Sequence, residues 1–372
     1  MPSALYRTYR PKKLADLVGQ ETTATLLQNA AATGRLGHAY LFYGSRGTGK
    51  TTTARILAKL FNCETRATDQ KFRATGEPCN NCTACREIDS GVSLDVIEID
   101  GASNRGIDEI RNLKESIRAV PSAGRYKVYI IDEAHMLTGA AWNALLKTLE
   151  EPPKHGVIVL ATTEYDKLPA TIVSRVQRFL FKKPTKSVIM EKLEAVAEAE
   201  KIALEPAALE LIAAAAEGSF RDAESLLDQA RSLAASGAKI TLTGVEELIG
   251  RVGFARVHDL AVAVIGRDLP AALELIAAQT ENGTNMVALT KDLIHYLRKI
   301  VAFGADPKLE PFLAADLTAD ELERLKKLAG QLPAEFGITL IEKLLTAYSE
   351  MRYSPFATIP LEIALIELLG GK

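Results

Sequence analysis

Gly44-Ser45-Arg46-Gly47-Thr48-Gly49-Lys50-Thr51 reads G-x-x-x-x-G-K-[ST], the loop that wraps the phosphates of a nucleoside triphosphate. Glycines at 44, 47 and 49 let backbone N–H groups turn inward toward anionic oxygens, a conformation that a Cβ resists. Lys50 then reaches the β and γ phosphates as a point charge, and Thr51 offers a hydroxyl to Mg²⁺. Arg46, Thr48 and Thr52 belong to the same expected phosphate contact set. The run before the loop, His38–Tyr43, is apolar and aromatic, as a buried strand is; the run after it, Thr52–Phe61, has apolar residues at helical spacing. Strand, glycine loop and helix are the context in which the motif has meaning, and an ordinary glycine turn would not need it.

The rest of the first half extends that pattern. Strand-like runs at Asp95–Asp100, Lys127–Asp132, Gly156–Thr162 and Arg178–Phe181 alternate with helical runs at 106–119 and 139–150, the latter stopped by Glu151-Pro152-Pro153. Alternation of this kind predicts a parallel sheet covered by helices, an α/β fold. After Lys183-Pro184 strand signals vanish and alanine-rich amphipathic helices take over, so the remainder reads as all-α. The expected division is an α/β domain over 1–185 carrying an insertion at 63–85, a small helical unit over 186–248, and a second over 249–372 with helices at Pro270–Ala278, Met286–Phe303 and Thr339–Met351.

Composition is that of a soluble globular chain: 372 residues, 47% apolar and 25% charged, with net charge −2. That charge argues against a coat of basic residues but leaves room for a local basic patch that holds nucleic acid. No run approaches the roughly 18–20 apolar residues of a membrane span. The first residues, Met1-Pro2-Ser3-Ala4-Leu5-Tyr6-Arg7, carry no hydrophobic signal segment, so a cytoplasmic location without membrane partners is expected. The abrupt Gly-Gly-Lys ending suggests a longer natural chain.

All four cysteines fall between 63 and 85, and Cys79, Cys82 and Cys85 form C-x₂-C-x₂-C. In a cytosolic chain such clustering favours metal over disulfides. Four thiolates, with Cys63 returning from a helix end, suit a tetrahedral structural Zn²⁺; iron–sulfur or free thiols are the rivals.

A phosphate loop alone does not establish hydrolysis. The strand Val128–Ile131 delivers Asp132-Glu133 at its C-terminal end, where Asp132 would hold Mg²⁺ and Glu133 would orient or activate water. The next strand ends in Thr162-Thr163, and Thr163 is preferred over Thr162 as a polar group between that carboxylate and the γ-phosphate. Arg175 could be catalytic or an ordinary surface arginine on spacing alone.

Together these residues resemble the AAA+ ATPases, and more closely the gamma/tau branch of bacterial clamp loader subunits. Tyr9-Arg10-Pro11 with Leu17-Val18-Gly19-Gln20 is similar to the family's adenine-site segment. The four-cysteine insertion directly after the phosphate-loop helix is particular to this branch. Leu145-Leu146-Lys147-Thr148-Leu149-Glu150-Glu151-Pro152-Pro153 resembles a signature of clamp loader subunits, and Ser174-Arg175 sits at the family's Ser-Arg-Cys box, with Val176 replacing the Cys. Gly218-Ser219-Phe220-Arg221-Asp222 is similar to its second sensor. The resemblance is clear from residue 4 to about 235 and rests on helical character beyond.

The resemblance implies an ATP- and Mg²⁺-dependent ATPase of the polymerase III holoenzyme that opens a sliding clamp and loads it on primer–template DNA. Arg175 would act in trans on a neighbour's nucleotide, and Arg221 would touch its own. Residues 186–248 would form a lid and 249–372 a collar joining further copies with delta- and delta-prime-type subunits. By position, Asn104, Arg105 and Lys147 would face DNA, although solvated surface charge would look the same. A non-hydrolysing scaffold subunit is disfavoured by the intact Lys50, Thr51, Asp132 and Glu133. A Holliday-junction branch-migration motor is disfavoured by the cysteine insertion and the Leu145–Pro153 box.

Overall fold

The structure, a computed structural model, describes residues 4–104, 106–233, 238–249, 253–313 and 317–370. Five strands form one parallel sheet: β1 (Ala39–Gly44), β2 (Val96–Asp100), β3 (Lys127–Asp132), β4 (Gly156–Thr162) and β5 (Gln177–Phe181), in the order β2-β3-β4-β1-β5. The strands therefore occur where apolar runs predicted them, with ends differing by a residue or so.

Side chains alternate across a strand, so each apolar run feeds two cores. Tyr40, Phe42, Val128, Ile130, Val157 and Val159 point to one face, against helices Glu21–Ala32 and Lys50–Asn62. Leu41, Tyr129, Ile131, Ile158 and Leu160 point to the other, with helices Ile107–Arg118 and Gly139–Glu150. β4, the middle strand, is buried along its whole length, which explains why Gly156–Thr162 holds no charge. β1 has β4 on one side and β5 on the other, in the registers Tyr43↔Thr162 and Tyr43↔Leu180.

The chain divides into two compact units. The sheet unit takes in residues 1–192 and, from the helical half, Gly218–Glu224. The second unit, 193–217 with 225–372, is helical, and its largest core gathers Leu293, Leu297, Leu340 and Leu344 from helices Met286–Ala305 and Ala334–Met351. Both helices run longer than the apolar spacing suggested: the first starts at Met286 as expected, where Asn285 caps it by accepting from the Ala288 N–H, and continues to Ala305, while the second starts early, directly after Pro333. Among the described residues no helix is long and apolar enough to cross a membrane.

Phe42 anchors one face of the sheet. It is 0% exposed and lies 5.7 Å from Phe179 and 5.3 Å from Phe181, ring centre to ring centre. Phe42→Ala should cost about 3–5 kcal/mol of stability in urea unfolding followed by circular dichroism. Phe42→Leu, which keeps most of the volume, should cost less than about 1.5 kcal/mol.

Candidate nucleotide site and metal centre

Gly47 and Gly49 both adopt left-handed backbone, at φ +71 and +100. The first has a second reason to lack a side chain, since a Cβ on Gly47 would collide with the Ser219 hydroxyl. The Phe220 N–H donates to the Gly47 carbonyl at 3.1 Å, which brings the 218–224 segment onto the loop. Lys50 opens the helix Lys50–Asn62, which contains the expected helical run Thr52–Phe61. Lys50 is 6% exposed, and its ammonium donates to the carbonyls of Gly44 (2.8 Å) and Ser45 (2.7 Å). Burial lowers the Lys50 pKa, against the pull of the Glu133 and Asp132 carboxylates. The loop thus holds a dehydrated cation beside backbone N–H groups at a helix N-terminus, a site for anionic oxygen.

The ends of β3 and β4 face this loop. The Thr51 hydroxyl donates to Asp132 Oδ2 at 2.6 Å, so the two oxygens expected to share Mg²⁺ already lie together. This hard-oxygen pair fits that ion. Glu133 takes the left-handed conformation (φ 46, ψ 44), uncommon for a residue with a side chain and of the kind that gathers at functional sites. Its carboxylate accepts from Thr163 Oγ1 at 3.0 Å. The Thr162 hydroxyl, 0% exposed, instead engages His135 Nδ1 at 3.0 Å. His135 was not singled out by sequence, yet it bridges the two acidic ends: Nδ1 lies 3.4 Å from Glu133 Oε2, and Nε2 lies 3.1 Å from Glu164 Oε1.

A cavity of about 300 Å³ opens beside these groups. Of the sequence-predicted residues it is lined by Arg10, Leu17, Val18, Arg46, Gly47, Thr48, Gly49, Lys50, Thr51, Thr52, Asp132, Glu133 and Arg221. Tyr6 lines it in place of Tyr9; the Tyr9 carbonyl is turned to Lys192 Nζ at 3.4 Å. The Arg221 guanidinium stacks 5.5 Å from the Tyr6 ring centre. Gly44 supplies its carbonyl to Lys50 from behind the lining. Arg55, Glu98, Lys192 and Glu224 also line the cavity and were not predicted. Arg55 and Glu98 form an ion pair there, and burial first, then Arg55, lowers the Arg10 pKa.

Of the other predicted residues, Tyr9, Thr163, Arg175, Lys147 and Asn104 do not line this cavity. Arg175 binds Glu150 Oε1 through Nε at 2.7 Å and the Thr171 carbonyl through Nη1 at 2.6 Å. Lys147 is exposed on the helix Gly139–Glu150. The Asn104 amide donates back to the Asp100 carbonyl at 3.1 Å, and Arg105 lies outside the described residues.

The four cysteines meet. Their sulfurs lie within 4.8 Å of one another, and Cys79 and Cys85 are 4.0 Å apart. Tetrahedral Zn²⁺ with Zn–S bonds of about 2.3 Å spaces its sulfurs by about 3.8 Å, so the donor set fits zinc. Asn80 turns left-handed (φ 59), letting the N–H groups of Asn81 and Cys82 donate to Cys79 Sγ at 3.4 and 3.3 Å. The Cys63 thiol is pulled down to about 4, chiefly by the Cys85 S–H, while the same contact pushes Cys85 up. Four sulfurs this close ionise together only around a cation.

Two outcomes follow from this chemistry. Cys79→Ser, or a strong chelator, should lower the melting temperature by several degrees while nucleotide affinity stays within about twofold, read by calorimetry on the full chain. The second concerns Glu224, a residue 5% exposed, whose carboxyl pKa is raised by burial to about 7, against Lys192 and Arg10. Because the folded value exceeds the unfolded one, the native state holds its proton longer. Stability is then greatest below about pH 4.5 for this group and declines until pH passes about 7. Glu224→Gln should remove that decline, a difference on the order of 3 kcal/mol between pH 5 and 8 in urea titrations of the nucleotide-free chain.

Comparison with known proteins identifies the family. A family model described as DNA polymerase III, delta subunit, matches residues 19–185. The DNA polymerase III clamp loader subunit ATPase lid domain matches 188–236, and the DNA polymerase III subunits gamma and tau domain III matches 240–371. The chain is 43% identical over 365 residues to DNA polymerase III subunit tau of Bacillus subtilis, covering 98% of this chain and 63% of that protein. It is 40% identical over 366 residues to the Escherichia coli tau subunit, covering 98% and 55%. Against DNA polymerase III subunit gamma of Buchnera aphidicola it is 34% identical over 368 residues, 99% of this chain and 98% of that one. The chain therefore spans 55–63% of these tau relatives and nearly all of the gamma relative. With a phosphate loop, an acidic strand end and a four-cysteine cluster on a parallel sheet, and with identity to such subunits running the length of the chain, this protein belongs to the DNA polymerase III gamma/tau family.

Proposed function

We propose that this chain is an ATPase subunit of the bacterial replicative clamp loader, in which ATP binding and hydrolysis drive opening of a sliding clamp and its loading on primer–template DNA. The observation that carries the reading is the pairing of Thr51 with Asp132 and of Thr163 with Glu133 beside the phosphate loop. A scaffold that only held nucleotide would have no use for a carboxylate in strained backbone with a hydroxyl fixed on it.

The residues divide the work. The loop N–H groups and Lys50 bind the β and γ phosphates. Thr51 and Asp132 would hold Mg²⁺, which neutralises charge developing on the phosphoryl oxygens. Glu133, aimed by Thr163 and His135, orients the attacking water and takes its proton as the water oxygen bonds to the γ phosphorus. The bond to the bridging oxygen breaks, leaving ADP and phosphate. Tyr6, Leu17 and Val18 supply apolar wall for the base, and Arg10 and Arg221 face the anionic ligand.

Arg175 lies outside its own subunit's cavity, tied to Glu150 and Thr171. That position suits a guanidinium offered to a neighbour's triphosphate, so that hydrolysis reports correct packing between subunits. Partners are then further copies of this chain, delta- and delta-prime-type subunits, the clamp and DNA, with Asn104, Arg105 and Lys147 as phosphate contacts. We divide the chain at 185 and 248 into nucleotide, lid and collar domains; the family match ending at 185 supports the first boundary, while the third match begins at 240, before the second. The cysteine cluster serves as a structural zinc site, and the setting is the cytoplasm.

In a reconstituted complex, Lys50→Ala should abolish nucleotide binding. Arg175→Ala should bind ATP as the parent does and lose DNA-stimulated turnover by roughly 10³-fold. Undiminished stimulated turnover in Arg175→Ala would overturn the trans role.

A further inference from the structure

A second cavity, of about 290 Å³, lies at the other end of the sheet from the phosphate loop. Its lining includes residues within two positions of the start of three strands: His38 before β1, Arg125-Tyr126 before β3, and Lys154 before β4. Arg66 and Arg73 complete it. Four cationic side chains thus line one concavity, and among the described residues no carboxylate does.

The buried cation is already spoken for. Arg66 is 6% exposed and donates to the carbonyls of Leu60, Ala31, Arg73 and Glu77, beside the Cys63 sulfur. Its charge answers that of the cysteine cluster and fixes the cavity floor. The other three are different. Arg73, Arg125 and Lys154 are exposed, and none has a carboxylate partner among the described residues. Elsewhere in the chain cations commonly find one: Arg55 pairs with Glu98, Lys59 with Asp89, Arg175 with Glu150, Lys343 with Glu367. In a chain with 47 acidic and 45 basic residues, a hollow edged by three unpaired cations is a selective local field. Arg73 also lies close over the chain: Gly34 has left-handed backbone (φ +72), and a Cβ there would come 2.5 Å from Arg73 Nη2. The glycine leaves room for the guanidinium to lie over the chain.

We propose that this cavity binds a small polyphosphate anion of the diphosphate class. Two guanidinium forks match phosphate oxygens in pairs, and Lys154 adds a point charge. The volume lies near the lower bound, about 300 Å³, of small-molecule sites, which fits two phosphoryl groups better than a folded partner. Bound anion would bridge the segments that lead into β1, β3 and β4, the strands that carry the phosphate loop, Asp132 and Thr163.

The test uses the full chain with Lys50→Ala, which removes the phosphate-loop lysine, and pyrophosphate as the probe in titration calorimetry at low salt. Saturable binding is expected, weakened at least about tenfold when Arg73→Gln, Arg125→Gln and Lys154→Gln are added. All three positions are exposed, so an unchanged melting temperature verifies the fold of the combined variant. Absence of binding, or equal affinity in the combined variant, overturns the proposal. So does a site that ignores pyrophosphate and takes only an oligonucleotide or an acidic peptide.

Discussion

The site depends on neighbouring strands ending together. β4 lies between β1 and β3 although it follows both in sequence, and its parallel registers (Tyr43↔Thr162, Ile131↔Leu160) bring three strand ends to one edge of the sheet. β1 gives the phosphate loop, β3 gives Asp132 and Glu133, and β4 gives Thr162 and Thr163. A slip of one residue would turn every inward side chain outward. The complete burial of β4 forbids that slip, because either face would then have to accept a misplaced set of side chains. Core packing and catalytic geometry are therefore one constraint.

Electrostatics at that edge are a balance between burial and local pairing. Lys50 loses water but keeps two carbonyls and two carboxylates in reach. Arg10, Arg55 and Glu98 form a charged cluster on one wall, and Glu224 is held largely out of solvent on another. A triphosphate entering such a site meets, in Lys50, a cation whose hydration has largely been removed, which strengthens that contact.

Much of this was legible in the sequence because the signals are local. Apolar runs marked the five strands, glycine spacing marked the loop, and three cysteines in seven residues marked the cluster. What spacing could not supply was convergence from a distance. Tyr6, Lys192 and Glu224 reach the nucleotide cavity from segments far apart in the chain, and no short motif announces them. The expectation of Tyr9 rather than Tyr6 arose the same way: Tyr6 lies within the short helix Leu5–Thr8 and Tyr9 just after it, and only the backbone decides which one turns inward. His135 stood in plain view beside Asp132-Glu133, yet its bridging role needs Thr162 and Glu164 from the next strand.

The phosphate-loop helix has a chemically distinct anchor at each end. It begins at Lys50 and is capped at Cys63, so 13 residues, or about 20 Å of rigid rod, separate the nucleotide from the sulfur cluster. Oxidants attack thiolates far faster than they attack a phosphate loop. Peroxide damage at the far end of this rod would therefore register as lost folding stability, with every residue of the pocket still in place at the other end.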